Sequence, residues 1–326
     1  MRAVAFSPYE MKFLAEEPSV REQTRKGVLL RIKDENGNSG YAGLHMWPID
    51  MESIQGRLAL RAAEQDLSLR RAGKSAWDGF EDIEIENNYL FFNFSAATGA
   101  GDEAMRKEIA EALKKGFRTF KVKVGRNPGI ESPLLRSLVK INSEARWRLD
   151  FNSLLTPQLV DAFFFEWTEE EISRIEYLED PCVYEKNYWN ELNKKIPLAL
   201  DQANPFGFEG LNPGSFQHLI LKPAIQDIDQ WLPWARTHNL KITVTSFMDH
   251  PLGAAEAFRQ ALEIKKSLGQ DARLYFNVSG LRTQFLFSST EFSRQLETSE
   301  PTLLRPKGTG LGFDSLLKGL TWFNLN

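Results

Sequence analysis

Six charged residues recur through the middle of this 326-residue chain: Lys121 and Lys123, then Asp150, Glu179, Asp201 and Lys222. From Lys123 onward the steps are 27, 29, 22 and 21 residues, and each fits one strand followed by one helix. Each charge ends a short apolar run: "TFKVK", "RWRLD", "RIEYLE", "IPLALD", "HLILK". Taken alone, "KVK" reads as an antiparallel strand with a solvated lysine face, because alternate side chains point the same way. Taken alone, an Asp at a strand–helix junction reads as a helix N-cap. Five such positions in step with one period go beyond capping. Three carboxylates gathered in a confined place repel one another unless cations or protons compensate. Asp and Glu offer only oxygen, which suits a hard ion such as Mg2+ or Mn2+, whereas Zn2+ recruits His or Cys. Lysines before and after the acids flank them with positive charge, and a lysine near other cations can serve as a base. The pattern points to proton transfer beside a divalent ion.

Positioning these residues takes a parallel sheet. From Tyr89 onward eight strand candidates alternate with helical or irregular links: "YLFFNFS", "TFKVKVG", "RWRLDFN", "RIEYLED", "IPLALDQ", "HLILKP", "KITVTSF" and "RLYFNVSG". Intervening stretches such as "DEAMRKEIAEALKKG" and "IDQWLPWARTHN" read as helices, while the Gly-, Pro- and Asn-rich link after "IPLALDQ" leaves room only for a short or irregular one. Eight strand–helix units predict an α/β barrel, whose strand-end residues converge on one mouth. The first ~90 residues read differently. "VLLRIKDENGNSGYAGLHM" predicts two strands around the Glu35–Asn38 turn, and "MESIQGRLALRAAEQDLSLRRAGK" predicts a helix, so an α+β unit precedes the barrel. After about Glu300 the alternation ends, and the last residues are expected to return to that first unit.

Composition narrows the function. A hydrophobic content of 42% supports a substantial core, and a net charge of −4 gives no sign of a nucleic-acid binder. The single cysteine, Cys182, excludes an internal disulfide framework or a cysteine-rich metal cluster and reads as a packing thiol. No uninterrupted apolar run is long enough to span a bilayer. Pro8, Glu10 and Lys12 fall where a signal peptide needs its apolar stretch, so a cytoplasmic location is expected.

The ordered set K-x-K, "LDFN", "LEDP", "ALD", "LKP" resembles the enolase superfamily along the whole chain. "WRLDFN" and "YLEDPC" are most similar to the o-succinylbenzoate synthase group within it. The resemblance implies a modified (β/α)7β TIM-type barrel over residues 89–299, and an N-terminal α+β capping domain over 1–88 joined by the segment from about 300 to 326. It implies Mg2+ on Asp150, Glu179 and Asp201, holding a small-molecule carboxylate substrate as an enediolate forms. Lys123 would take the proton α to the carboxylate and return it to the leaving hydroxyl, Lys222 would balance the anionic intermediate from the opposite side, and Lys121 would neutralise charge beside the ion. The implied reaction is syn dehydration of a cyclohexadiene carboxylate, SHCHC, to o-succinylbenzoate in menaquinone biosynthesis. The same machinery resembles N-succinylamino acid racemases and dipeptide epimerases, which transfer protons without dehydration. One departure stands out: many relatives read Asp-Glu-Ser where this chain has Asp201-Gln202-Ala203. Ser246 and Asp249 in "TSFMDHPLG" match a strand end near the substrate in relatives.

Other residues have competing roles. Asn152 shares the face of Asp150 and either orients a ligand or caps a turn. Asp180 faces away from Glu179 in an extended strand, and reads as structural. His218 is in phase with Lys222 but lies deeper, as a core histidine would; His250 lies beyond its strand in a loop. His45 and Trp47 either close over substrate or anchor their loop. "GTGLG" at 308–312 lacks the strand and helix that a nucleotide loop requires, and Trp231 and Trp234 share one helix face as core residues. Two alternatives come from other classes. A metal-retaining scaffold would not need all six charges, and a Schiff-base aldolase on Lys222 would not need the three acids.

Overall fold

The structure, a computed structural model, describes residues 3–14, 23–91, 101–201 and 208–325. Its N-terminal part is an antiparallel sheet of β1 (Ala3–Lys12), β2 (Thr24–Lys33) and β3 (Ser39–Leu44), covered by α1 (Ile54–Arg71). Alternation along β2 sends Val28, Leu30 and Ile32 into a small core with Ala59, Ala63 and Leu67 of α1. Helix and sheet touch closely at Gly40, where a Cβ would come within 2.2 Å of the Ala63 carbonyl oxygen. Ser53 starts α1 by accepting a hydrogen bond from the Gly56 N–H.

The remainder winds strand by strand: β4 (Tyr89–Phe91), α2 (Gly101–Lys114), β5 (Thr119–Lys123), α3 (Pro128–Val139), β6 (Arg146–Asp150), α4 (Pro157–Phe164), α5 (Glu169–Ser173), β7 (Ile175–Glu179), α6 (Lys186–Asn193), β8 (Leu198–Leu200), β9 (His218–Leu221), α7 (Ile228–Thr237), β10 (Lys241–Val244) and α8 (Pro251–Leu268). All seven strands are parallel and lie in the order of the chain. Between β8 and β9 the described link holds one short 3-10 turn, Pro213–Ser215.

The eighth candidate, "RLYFNVSG", differs from expectation. Residues Ala272–Tyr275 form a helical turn, because the Phe276 N–H donates to the Ala272 carbonyl instead of across the sheet. Only the next few residues remain to pair. Phe276 bridges Ile242 and Gly280 bridges Thr245, while Ser279 bridges Asn87 just before β4. This short segment closes a (β/α)7β barrel beside the capping sheet.

Chain order and face explain the paired lysines. Phe120 and Val122 of β5 point outward into the core with Ile109 and Ala112 of α2, and Phe120 continues a ring stack from Phe91 to Trp147. Lys121 and Lys123, on the opposite face, point into the barrel. At the far end of the chain, β11 (Phe323–Asn324) pairs with β1, and Trp322 packs on Tyr41 with the Arg31 guanidinium over its ring. No described helix is long and apolar enough to cross a membrane.

Candidate active site

Register brings the charges together. Lys123 pairs with Asp150 across β5 and β6, and Asp150 pairs with Glu179 across β6 and β7. Asp201 and Lys222 follow directly on β8 and β9. Lys121, Lys123, Asp150, Asp201 and Lys222 line one cavity of about 350 Å³ at the barrel mouth; Glu179 is not part of its lining but accepts a hydrogen bond from Lys121, which is. The carboxylates are buried, with relative exposures of 3% for Asp150, 1% for Glu179 and 7% for Asp201, so their charges need internal compensation.

Lysines provide part of it. The Lys121 ammonium sits 2.9 Å from Asp150 Oδ2 and 2.6 and 2.7 Å from the two Glu179 oxygens. Lys222 Nζ donates to Asp201 Oδ2 at 2.5 Å. Burial opposes the charged form of both lysines, but Asp150 and Glu179 hold the Lys121 pKa well above the ordinary lysine value, and Asp201 holds Lys222 up. Burial would likewise raise Asp150, yet Lys121 and Lys123 outweigh it and keep this carboxyl below its usual range. Glu179 goes the other way: burial, followed by repulsion from Asp150, pushes it up to about 8 despite Lys121. Burial, more than any lack of nearby cations, is what raises Glu179.

Among the described residues no three His, Cys, Asp or Glu side chains close around one point as metal ligands; Lys121 lies between Asp150 and Glu179, and Lys222 lies against Asp201. A cation nevertheless fits this donor set. Asp201 Oδ1 is buried with no hydrogen-bond partner among the described residues. The donors are all oxygens, the set a hard divalent ion takes.

The substrate-side candidates separate. Asn152 and Ser246 line the cavity. Asn152 adopts φ 47°, turning the chain after β6, and its N–H donates to Asp150 Oδ1 at 3.2 Å, so it does the turn work while facing the cavity. Ser246 Oγ pairs with Thr283 Oγ1 at 2.5 Å. Asp249 lies outside this cavity: its carboxylate folds back to accept the Phe247 N–H at 2.7 Å and borders a separate pocket under α1. Gln202 and Ala203 are outside the described residues.

The remaining histidines and acids take structural places. Asp180, at φ 41°, accepts the Asp201 N–H at 3.1 Å and so fixes the chain just before that carboxylate. His218 meets Asn277 Nδ2 at 2.8 Å and packs on Tyr177 inside the barrel. His250 caps α8, accepting the Leu252 N–H at 3.2 Å. His45 is wedged between Tyr9 and Phe247, whereas Trp47 lies 61% exposed beside Phe6 and covers no part of the cavity. The "GTGLG" segment wraps Asp66 and Asp314, which accept N–H groups of Leu311 and Thr309.

Arg25 and Thr283 are among the cavity residues that escape the sequence pattern. Arg25 opens β2 on the face shared with Leu29, which packs in the barrel-side core. Period two would have placed it there once the barrel-facing side of the capping sheet was known. Thr283 belongs to a 3-10 turn and follows no period.

No protein-family model matches the chain. An o-succinylbenzoate synthase from Bdellovibrio bacteriovorus is 33% identical over the whole chain and 99% of its own length. In fold, the chain is similar to an unknown member of the enolase superfamily from Enterococcus faecalis V583 (TM-score 0.72, 15% identity, 99% of this chain and 98% of that one). It is equally similar to a dipeptide epimerase from Cytophaga hutchinsonii, complexed with Mg and the dipeptide D-Ala-L-Val (TM-score 0.72, 17% identity, 100% and 99%). With the full-length relative above 30% identity, the chain belongs to the o-succinylbenzoate synthase family and is an enzyme of the lyase class, and it shares its fold with the enolase-superfamily structure.

Proposed function

We propose that this protein catalyses the Mg2+-dependent syn dehydration of SHCHC (2-succinyl-6-hydroxy-2,4-cyclohexadiene-1-carboxylate) to o-succinylbenzoate, a step of menaquinone biosynthesis, in the cytoplasm. The observation that carries the chemistry is one cavity lined by Lys123, Asp150, Asp201 and Lys222, with the buried Glu179 held against Lys121 beside it. The full-length relative supports the choice of substrate.

Asp150, Glu179 and Asp201 would hold the ion, which when bound supplies a Lewis acid for charge building on the substrate carboxylate. Lys123 Nζ takes the proton from the carbon α to that carboxylate, leaving an enediolate. The same ammonium then gives the proton to the departing hydroxyl, so the C–O bond breaks, water leaves and the ring becomes aromatic. A syn elimination needs only one face, and one lysine can serve both transfers. Lys222, held protonated beside Asp201, balances the anion from the other side. Lys121 stays charged between Asp150 and Glu179 and keeps both carboxylates in place.

The rival reading is an N-succinylamino acid racemase or dipeptide epimerase, which the lysines on two sides of the site also suit. Incubation with SHCHC and Mg2+, followed by ultraviolet absorbance, tests the choice. Dehydration of SHCHC should far exceed racemisation of any N-succinylamino acid in kcat/KM; the reverse order would move the assignment to the rival.

A further inference from the structure

Arg25 belongs to the capping sheet, yet its side chain forms a wall of the barrel-mouth cavity together with Lys121, Lys123 and Lys222. A guanidinium carries five N–H donors in a fixed fork. Here Nη2 donates to the Phe247 carbonyl at 2.7 Å, and the group lies over the Phe247 ring, 4.8 Å from its centroid. That clasp fixes the plane of the fork. The Nε–H is buried and meets no acceptor among the described residues. Asp249, whose charge acts on Arg25, turns its Oδ2 to the Phe247 N–H instead. A buried donor left unmet is costly, so a guanidinium that lines a cavity beside three lysines, with only one described hydrogen bond, has donor capacity to spare for an anion. Planar, bidentate and permanently charged, the fork matches a carboxylate. Phe247 also lies near Lys222, whose Nζ is 5.8 Å from the ring centroid, so an apolar surface connects the two cations.

We propose that Arg25 binds the second, distal carboxylate of a dicarboxylate substrate and thereby sets the site's preference for dianions. This rests on the dehydratase reading, in which the succinyl carboxylate is that second group. The substrate then spans both domains, with its ring carboxylate at the three acids and its succinyl end at the cap.

The test compares two ligands that differ only in the distal carboxylate, o-succinylbenzoate and 2-butanoylbenzoate, titrated into the full-length protein with Mg2+ present. Wild type should bind the diacid about 10- to 100-fold more tightly, the range of a charged hydrogen-bonded pair. Arg25→Gln should lose that preference while leaving the monoacid affinity unchanged. It should raise KM for SHCHC by a similar factor, with kcat little altered. Arg25→Lys should recover part of the preference. A variant that keeps the preference, or that weakens both ligands equally as a mere interdomain clasp would, overturns the role of Arg25 while SHCHC turnover by wild type leaves the dehydratase reading standing. If wild type neither binds the diacid nor dehydrates SHCHC, that reading falls and the role of Arg25 with it.

Discussion

Asp201 Oδ1, buried and without a hydrogen-bond partner among the described residues, is the atom that most directly calls for a cation. Removing a ligand oxygen should therefore weaken ion binding without unfolding the barrel. Asp150→Asn should lower Mn2+ affinity in a titration while its circular dichroism stays like that of wild type; unchanged affinity would remove Asp150 from the ligand set. The histidines make a separate prediction. His218 and His250 are buried and carry a pKa of about 3, lowered from 6.5 by desolvation. Unfolding frees both to bind protons, so through these two residues the unfolded chain holds more protons between about pH 3 and 6.5, and their share of the stability falls as pH drops through that window. Each can contribute up to about 1.4 kcal/mol per pH unit there. Glu179, pushed up to about 8, acts in the opposite sense between pH 7 and pH 5, so the histidine share is read by comparison: in urea melts at these two values, His218→Asn should lose less stability on acidification than wild type. The six charges were legible in the sequence because each ends an apolar run on a common period. Arg25 was not, because its position depends on which face of another domain meets the barrel.

Elements are held by contacts that sequence patterns describe only in part. The seven parallel strands and the capping hairpin stood out through alternation and turn residues, but the closing segment did not. "RLYF" has strand-forming composition, yet it runs on from α8 through a helical turn and leaves only Phe276–Gly280 to bridge β10 and the start of β4. Local hydrogen bonding overrode composition there. The contact between α1 and β3 was equally hidden. Gly40 looks like any turn-flanking glycine, but a Cβ there would lie 2.5 Å from Leu67 and closer still to the Ala63 carbonyl. Gly40→Ala should cost about 1–3 kcal/mol in chemical denaturation, the range for overpacking. A loss below a few tenths would mean that α1 can shift outward freely.

Across the whole molecule, two domains share one site. The barrel supplies the acids and lysines, while the cap supplies Arg25 and is held to the barrel by rings such as Tyr9 on His250 and Phe13 on Phe287. An ion that binds only the folded barrel must stabilise it, by about 2.7 kcal/mol at a free concentration 100 times its Kd. Added Mg2+ should raise Tm, exhaustive EDTA treatment should abolish turnover, and Asp150→Asn should lose most of the Tm rise. Turnover that persists with no residual metal would exclude metal-assisted proton transfer. Lys222→Arg keeps a cation but changes its donor geometry, and should retain part of the rate.

The division of labour between the two lysines is best tested by following SHCHC in deuterated solvent with the Lys123→Ala and Lys222→Ala variants, metal binding being verified in both. Lys123→Ala should lose α-proton exchange and product formation together, by at least the ~10²–10⁴-fold that a positioned acid/base group contributes. Lys222→Ala should slow product formation while its Lys123 still exchanges the α-proton. Near-normal turnover in Lys123→Ala, with exchange lost in Lys222→Ala, would contradict the assignment of Lys123 as the base.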